Sequence, residues 1–285
     1  MLVAPSASAM RRLLSICDDF ASEYSILFNA TKSKCMVISP YTRRNVQYCE
    51  FVVQGKPMEF VSSYVHLGHL ITDNLDDSCD ISQRRCDFVG QVNNVLCFFQ
   101  KLCSAVKYKL FQSYCTSFYG CELWDLACDK MADFCTAWRK GVRRVWNVPP
   151  DTHCYILPLL CECLPVYDEV CRRSVNFLRT CVSHSSEVVR HVANYSIFHG
   201  RCDSPAGRNA LHCMNRYGAT LSDVLSSKFE SLVWEYATKD ISIQHEQSVD
   251  LLRECIMIRD NVFTLPDFYT VPDVRCIILY ICSLG

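Results

Sequence analysis

Two stretches decide the first part of the fold: residues 28–38, FNATKSKCMVI, and residues 64–72, YVHLGHLIT. In the first, apolar runs flank a turn rich in Asn, Thr, Ser and Lys at 29–34, which predicts strands at 26–28 and 35–39. In the second, Gly68 interrupts an apolar run, which predicts a sharply turning hairpin. Further strands are predicted at 48–53, ended by a turn at 54–57, and at 60–61. Together these strands predict a small antiparallel set.

Helical patterns surround this set. Apolar side chains recur at helical spacing between residues 8 and 24, with serines available to cap the start. After an acidic stretch at 73–77 the strand signal stops, and helices are predicted at 81–102, 106–114 and 131–146. Beyond Pro149 and Pro150, helices are predicted at 156–164, 166–182, 187–198, 221–238 and 243–259, with 200–218 as the main loop. The fold class is therefore α+β, with a helix plus antiparallel strands followed by a mostly α-helical region.

Composition narrows the functional classes. The 285 residues are 50% hydrophobic and 21% charged, which is a normal globular balance, and the formal net charge of -1 excludes a globally basic nucleic-acid binder. Charge is nevertheless uneven, because residues 81–146 contain ten Lys/Arg against five Asp/Glu. Such an excess favours a phosphate-facing surface on this part of the chain; the alternative is a solvated helix face.

The 21 cysteines suggest free thiols. Disulfide-dense proteins are usually short and secreted, whereas this chain is long, core-rich and lacks a signal-peptide pattern, so an intracellular location, cytoplasmic or nuclear, is expected. Cysteines at apolar positions of helical patterns, such as Cys17, Cys97 and Cys103, are expected to be buried. No apolar stretch reaches the length of a membrane span, so no membrane partner is expected.

Zinc is a weaker hypothesis. Cys161 and Cys163 form one C-x-C pair without the second short-spaced pair that a finger or knuckle requires. A looser cluster departs from C-x2-C spacing and consists of His199, Cys202, His212 and Cys213. No metal ligand set is assigned on this basis.

Five segments in order resemble the reverse transcriptases of non-LTR (LINE-type) retrotransposons. They are MLVAPSASAMRRLL at 1–14, the two stretches quoted first, KYKLFQSYCTSFYGCELWDL at 107–126, and RKGVRRVWNVPPDTH at 139–153. Each alone is weak, but order and spacing agree over residues 1–165. The resemblance implies three regions: a palm remnant at 1–78 with a nucleotide-proximal lysine turn and a primer-grip hairpin, a helical thumb at 79–150, and a helical C-terminal region at 151–285.

The resemblance also implies roles for individual residues. Lys32 matches a turn lysine near the incoming nucleotide and is a candidate proton donor to pyrophosphate; the alternative is a solvated lysine. Leu67, Gly68 and His69 match the primer-grip hairpin, where glycine permits close approach of the primer; the alternative is a hairpin without that role.

The thumb is expected to hold an RNA template and DNA primer as an RNA/DNA hybrid through phosphate contacts, without reading sequence. Its candidate contacts are Arg84, Arg85, Lys101, Lys107, Lys109, Arg139, Lys140, Arg143 and Arg144. Four aromatic residues are candidates for base stacking or, more commonly, for the core: Tyr108, Tyr119, Trp124 and Trp138.

Catalysis by this chain alone is not expected. In the family, Mg²⁺ ions are held by palm aspartates, and residues resembling the start of this chain directly follow the catalytic Tyr/Phe-Ala-Asp-Asp, so those aspartates are expected upstream of Met1. The adjacent pairs Asp18–Asp19 and Asp76–Asp77 do not substitute for carboxylates converging from strands. A truncated RNA-directed DNA polymerase fragment without its own cofactor is expected, with the N-terminal palm and fingers as a partner. The alternatives are an RNA/DNA-binding module and a transposon remnant without function.

Overall fold

The computed structural model describes residues 1–29, 31–38, 49–199 and 203–259, with side chains described up to residue 250. The fold is mostly helical with a few short strands, which agrees with the α+β class. Contacts divide the chain into two compact units, Met1–Gln83 and Arg84–Gly285. Within the described residues, no helix is both long enough and apolar enough to cross a membrane.

Helix α1, Ala7–Glu23, opens the first unit. The Ser6 hydroxyl caps it by accepting a hydrogen bond from the Ala9 backbone N–H at 3.2 Å. Leu14 and Ala21, seven residues apart, are buried on one face, as the helical spacing predicted. The prediction of an amphipathic helix at 8–24 is confirmed.

Among the described residues of the first unit, the strands are short and form three separate two-stranded sheets. They are β1 (Lys34–Cys35), β2 (Val52–Val53), β3 (Lys56–Pro57), β4 (Glu59–Phe60), β5 (Ser63–His66) and β6 (His69–Thr72). Strands β2–β3 and β5–β6 are antiparallel hairpins, but β1 pairs with β4 in parallel. The prediction of one antiparallel set is therefore wrong in part, because the long connection between β1 and β4 allows a parallel pair that no hairpin could form.

The predicted strand at 26–28 is absent, and Gln54 shows why. Its side-chain amide donates to the Ile26 carbonyl at 2.7 Å and accepts from the Phe28 N–H at 2.8 Å. One amide side chain thus satisfies the backbone groups that a neighbouring strand would have bonded. Of the predicted strand at 48–53, residue 48 lies outside the described residues and only Val52–Val53 form a strand; residue 39 of the strand predicted at 35–39 also lies outside them.

The second unit contains an aromatic core between helices. Helix α2 (Ser78–Phe98) enters it, followed by α3 (Ser104–Cys115), a 3-10 turn at Cys121–Leu123 and α4 (Lys130–Trp146). Phe134 makes edge-to-face contacts with Phe118 and Trp124, both with ring centroids 5.2 Å apart. Phe88 and Phe111 pack beside these rings, with their own ring centroids 5.9 Å apart. The helices predicted at 81–102, 106–114 and 131–146 are confirmed, with ends shifted by a few residues.

Up to residue 259, the described part of the chain continues with α5 (Ile156–Cys161), α6 (Val166–Val182), α7 (Glu187–Phe198), α8 (Pro205–Tyr217), α9 (Leu221–Val224) and α10 (Lys228–Arg259). Helix α8 lies where the sequence predicted a loop at 200–218, so that prediction is wrong. The Ser204 hydroxyl caps α8, Pro205 stands at its first turn, and Gly218 ends it with φ 61°. Proline and glycine here mark the start and the end of a helix rather than a loop. The helices predicted at 221–238 and 243–259 are instead α9 followed by one continuous helix, α10.

A buried polar cluster joins α6 to α8. Asp168 is only 3% exposed and accepts hydrogen bonds from Arg216 Nε (3.0 Å), Arg216 Nη2 (2.9 Å) and the Tyr217 hydroxyl (2.7 Å). The Arg216 guanidinium lies over the rings of Tyr167 and Tyr236 at 4.8 and 4.9 Å. Although burial alone lowers the pKa of Arg216, the Asp168 carboxylate raises it above its ordinary value. The cluster places an Asp–Arg pair, hydrogen-bonded to Tyr217, in the helical core.

Asn209 on α8 ties the same core to the segment before α4. Its side chain accepts from the Leu126 N–H at 3.0 Å and donates to the Trp124 carbonyl at 2.7 Å. All three residues are buried. A single amide therefore satisfies two buried backbone groups more than 80 residues earlier in the chain.

Candidate nucleic-acid interface

A groove of about 400 Å³ lies between α2 and α4. Phe88 and Val92 of α2 are buried at its floor. Gly141 of α4 faces them, and a Cβ at this position would lie 3.2 Å from Phe88 Cζ and 3.4 Å from Val92 Cγ2. The glycine thus allows the two helices to approach closely, which places the side chains on either side of the groove near one another.

Three cations line the groove together with these apolar groups: Arg85 from α2 and Lys140 and Arg144 from α4. All three are exposed, and Lys140 and Arg144 stand one helical turn apart. Arg144 Nη1 also donates to Asn93 Oδ1 at 2.7 Å, which orients its side chain. The lining includes one acid, Asp133, which pairs with Lys130 at 3.2 Å. The groove therefore combines an apolar floor with a net positive rim.

The other predicted phosphate contacts have different surroundings. Arg143 donates to the Thr152 carbonyl at 3.1 and 2.6 Å and to Cys154 Sγ at 3.4 Å, so it fixes the connection after α4. Arg139 is half-buried and donates to Thr136 Oγ1 at 2.9 Å. Lys101, Lys107 and Lys109 stand after α2 and on α3 and do not belong to the groove lining.

The hairpin β5–β6 turns through Leu67 and Gly68. His66 pairs with His69, and the two turn residues have φ 49° and 79°, a two-residue left-handed turn. The predicted sharp turn at Gly68 is confirmed. A β-turn of this kind favours Asn or Gly at the position that Leu67 occupies. The Leu67 side chain is also 77% exposed. An exposed leucine therefore occupies a conformation that is unfavourable for it.

His69 does not project from the hairpin tip. Its Nδ1 lies 3.2 Å from Asp80 Oδ2, and its Nε2 lies 3.9 Å from Asp77 Oδ1. Buried Asp80 also accepts from the Leu70 N–H at 3.0 Å. His69 thus anchors the hairpin to the first turn of α2, whereas Leu67 and Gly68 form its exposed tip.

The lysine turn is fixed by Asn29. Its side-chain oxygen accepts from Thr31 Oγ1 (2.6 Å) and from the Lys32 N–H (3.1 Å). The Tyr64 hydroxyl of β5 donates to the Lys32 carbonyl at 3.1 Å. The Lys32 side chain is exposed. The predicted turn and the predicted grip hairpin are therefore joined within the first unit by one tyrosine.

One carboxylate of each adjacent aspartate pair accepts hydrogen bonds that hold local structure. Asp18 Oδ1 accepts from the Gln54 N–H at 3.0 Å, which links α1 to the β2–β3 hairpin. Asp76 Oδ1 accepts from Ser78 N–H and Oγ at 3.0 and 2.7 Å, at the start of α2. In the described part of the chain, no group of three or more His, Cys, Asp or Glu side chains is placed to hold a metal ion.

The zinc candidates are only partly described. Cys202 lies outside the described residues. The His199 ring packs against Tyr195 at 5.3 Å, while His212 Nε2 lies 2.7 Å from the Tyr167 hydroxyl. Burial, reinforced by the nearby Arg216 charge, lowers the pKa of His212 below its ordinary value of 6.5. Cys213 is fully buried in the core.

The described cysteines are free thiols but are not uniformly buried. Cys97 and Cys103 are exposed and Cys17 is partly exposed, so the prediction of buried thiols is wrong for these. On α2 the buried face runs through Phe88, Val92 and Val95, and Cys97 lies off that face. Burial raises the pKa of Cys121 to about 12. At the C-x-C pair, hydrogen bonding from Cys163 lowers the pKa of Cys161 despite burial.

The four aromatic candidates separate into core and surface. Trp124 and Trp138 are buried, and Tyr108 is half-buried with its hydroxyl bonded to the Cys161 carbonyl at 2.9 Å. Tyr119 is 56% exposed. Sequence reasoning had no signal that distinguished Tyr119 from the other three, because exposure depends on the turn that carries it. It also missed the Asp168–Arg216 cluster, whose partners lie on different helices.

Comparison with known proteins adds no relative: the chain matches no family model, no curated protein and no solved structure.

Proposed function

We propose that this chain is the primer- and duplex-holding part of a LINE-type reverse transcriptase, and that its own activity is sequence-independent binding of an RNA/DNA hybrid. The observation that carries the proposal is the groove between α2 and α4, where Arg85, Lys140 and Arg144 stand exposed around an apolar floor. Lys140 and Arg144 lie in the segment 139–153 that resembles the family, and Arg85 lies in the region 79–150 that the resemblance assigns to the thumb. The ordered motifs of residues 1–165 support the same assignment.

The chemistry of the groove suits a nucleic-acid backbone. Cations bind phosphates through charge and release condensed counterions, which gives affinity without sequence information. The three rim cations come from two helices that Gly141 brings together, so they form one surface rather than a scattered set. Arg143 and Arg139 are engaged with neighbouring groups of the protein and contribute to the scaffold instead.

The first unit supports the proposal through its exposed turn elements. Leu67 and Gly68 present the hairpin tip, where close backbone approach is possible, and the Lys32 side chain is exposed on a turn fixed to the same hairpin. In this proposal the hairpin contacts the primer strand, and Lys32 donates a proton to pyrophosphate. The role of Lys32 requires Mg²⁺ and the aspartates of the family's palm. The sequence contains no Ala-Asp-Asp motif that would supply those aspartates.

An exposed apolar stripe on α1 supports a palm and fingers segment as a partner. Ile16, Phe20 and Tyr24 recur every four residues on one face, and all three are exposed. The Phe20 and Tyr24 rings pack together with centroids 4.5 Å apart. A contiguous apolar face of this kind is typical of a surface that another polypeptide covers.

Salt-dependent binding tests the groove. Three phosphate contacts predict a slope of about -2.7 in log affinity against log salt, or roughly a 40-fold loss between 50 and 200 mM salt. Fluorescence anisotropy with a blunt RNA/DNA hybrid measures this slope. Lys140→Glu and Arg85→Glu should each weaken binding and make the slope shallower by about 1 or more. Lys239→Glu on α10 is the matched control, because it makes the same charge change at an exposed site outside the groove.

The outcomes are distinct. Equal losses of affinity in Lys140→Glu and Lys239→Glu would show that binding depends on net charge alone, and the groove would no longer support the proposal. Salt-independent or undetectable binding by the unchanged chain would reject the binding function and favour a remnant without function. A primer-extension assay with template, primer, Mg²⁺ and nucleotides should show no extension by the chain alone; extension that requires nucleotides would overturn the inactive assignment.

A further inference from the structure

A second cleft of about 490 Å³ lies on the opposite side of Phe88, between α2 and the turn at 116–120. Its volume falls within the range of roughly 300–1,000 Å³ that is common for small-molecule sites. The floor is aromatic, with Phe88, Phe118 and Phe134, and Tyr119 stands at the side with 56% of its surface exposed. The cleft thus offers an apolar floor and one accessible aromatic ring.

The backbone that presents Tyr119 is strained and held in place. Phe118 has φ 44° and Gly120 has φ 82°, so left-handed residues flank Tyr119 on both sides. A bulky residue such as Phe118 rarely adopts this conformation, and residues held in it cluster at ligand sites. Arg173 fixes the turn by donating to the Ser117 carbonyl at 2.5 Å and to the Thr116 carbonyl at 3.1 Å. Its guanidinium also lies 5.3 Å above the Phe118 ring.

The facing wall of the cleft is a polar stripe on α2. Arg84, Asp87, Gln91 and Asn94 recur at spacings of three and four residues and therefore share one helix face. Arg84 Nη1 lies 3.8 Å from Asp87 Oδ2, and the guanidinium lies 5.5 Å above the Tyr119 ring. This ion pair makes the cleft close to neutral, in contrast to the cationic groove. The exposed amides of Gln91 and Asn94 each offer both donors and an acceptor.

We propose that this cleft binds an unpaired nucleobase of a single strand, packed against the exposed part of the Tyr119 ring beside the Arg84 guanidinium, with its hydrogen-bonding edge toward Gln91 and Asn94. A planar, neutral heteroaromatic ring fits an aromatic floor, and the amides match the mixed donors and acceptors on base edges. A phosphate would gain little there, because Arg84 is already paired with Asp87. The inference rests on the proposed function and adds to it a contact with bases, which the groove rim lacks.

Two oligonucleotides test the proposal: a short single strand and an abasic strand of the same length, which keeps every phosphate but has no bases. The unchanged chain should bind the base-bearing strand roughly 5- to 150-fold more tightly, the ratio that about 1–3 kcal/mol of stacking produces. Tyr119→Ala should remove this preference and Tyr119→Phe should retain it. Gln91→Ala should reduce it. Tyr114→Ala is the matched control, because Tyr114 is an exposed tyrosine on α3 outside the cleft.

A blunt duplex separates this inference from the proposed function. If the duplex binds but the base-bearing and abasic strands bind equally, or if the preference survives in Tyr119→Ala, the nucleobase site is overturned while the groove stands. If the preference is present and depends on Tyr119 but duplex binding is absent, the cleft stands and the groove assignment fails. Near-ultraviolet circular dichroism of each variant verifies that the exposed substitutions leave the fold intact.

Discussion

Replacing Asp168 by asparagine should destabilise the second unit strongly. The carboxylate is 3% exposed and accepts three hydrogen bonds, two from Arg216 and one from Tyr217. The substitution keeps the shape of the side chain but leaves the Arg216 charge without its counter-ion. Breaking a buried ion pair from one side costs about 3–5 kcal/mol. Arg216 retains 29% exposure and its aromatic contacts, so a cost at the lower end, about 3 kcal/mol, is expected.

Tryptophan fluorescence suits the measurement, because all four tryptophans of the sequence, at positions 124, 138, 146 and 234, belong to the second unit. A loss of about 3 kcal/mol lowers the urea midpoint by roughly 1–2 M at ordinary denaturant sensitivity. Asp133→Asn is the control, since its pair with Lys130 is exposed at the surface and is worth roughly 0.5 kcal/mol or less.

A double variant tests the cause of the loss. In Asp168→Asn with Arg216→Met no unpaired charge remains, so the two substitutions together should cost less than their sum. A cost below about 1 kcal/mol for Asp168→Asn alone, or strict additivity in the double variant, would refute the interpretation that charge pairing stabilises this core.

Three further predictions concern other parts of the chain. Leu67→Asn should raise the thermal stability of the chain by about 1 kcal/mol, because asparagine tolerates the left-handed turn better than leucine; calorimetry showing a loss would contradict it. Because burial lowers the pKa of His212, stability should fall as pH drops below 6.5 toward the lowered value, and His212→Gln should flatten this part of the pH profile of urea unfolding. Arg143→Gln should lower the free energy of unfolding by roughly 1–3 kcal/mol, because it removes the bonds to Thr152. It should leave the salt slope of hybrid binding within measurement error. A slope change like that of Lys140→Glu would show that Arg143 contacts the hybrid.

Local periodicity predicted the helices whose ends coincide with changes in pattern. Helices α6 and α7 have the predicted bounds, 166–182 and 187–198, because each begins after a polar or proline residue and carries a continuous apolar face. Helix α8 was missed for a related reason. Proline and glycine occur both in loops and at helix ends, so Pro205 and Gly218 do not reveal whether the residues between them form a helix.

The sites depend on contacts that no local pattern encodes. The sequence predicted nine cations as one phosphate-binding surface, but only tertiary packing separates Arg143, which bonds to a backbone carbonyl, from Lys140, which lines the groove. Likewise, the exposure of Tyr119 follows from the left-handed conformation of Phe118 and from Arg173, which lies more than 50 residues later. Side chains distant in sequence decide which residues of a motif remain available to a ligand.

The amide of Asn209 limits how this protein can be dissected. A fragment ending at residue 150 would retain α2, α3 and α4 but lose α8, and with it the partner of the buried Leu126 N–H and Trp124 carbonyl. Losing these two hydrogen bonds costs about 0.5–1.5 kcal/mol each, a large share of the stability of a small domain. A fragment carrying the groove-bearing helices is therefore expected to be more stable when it extends through Tyr217. During synthesis, the segment around Trp124 reaches its final packing only after α8 has left the ribosome.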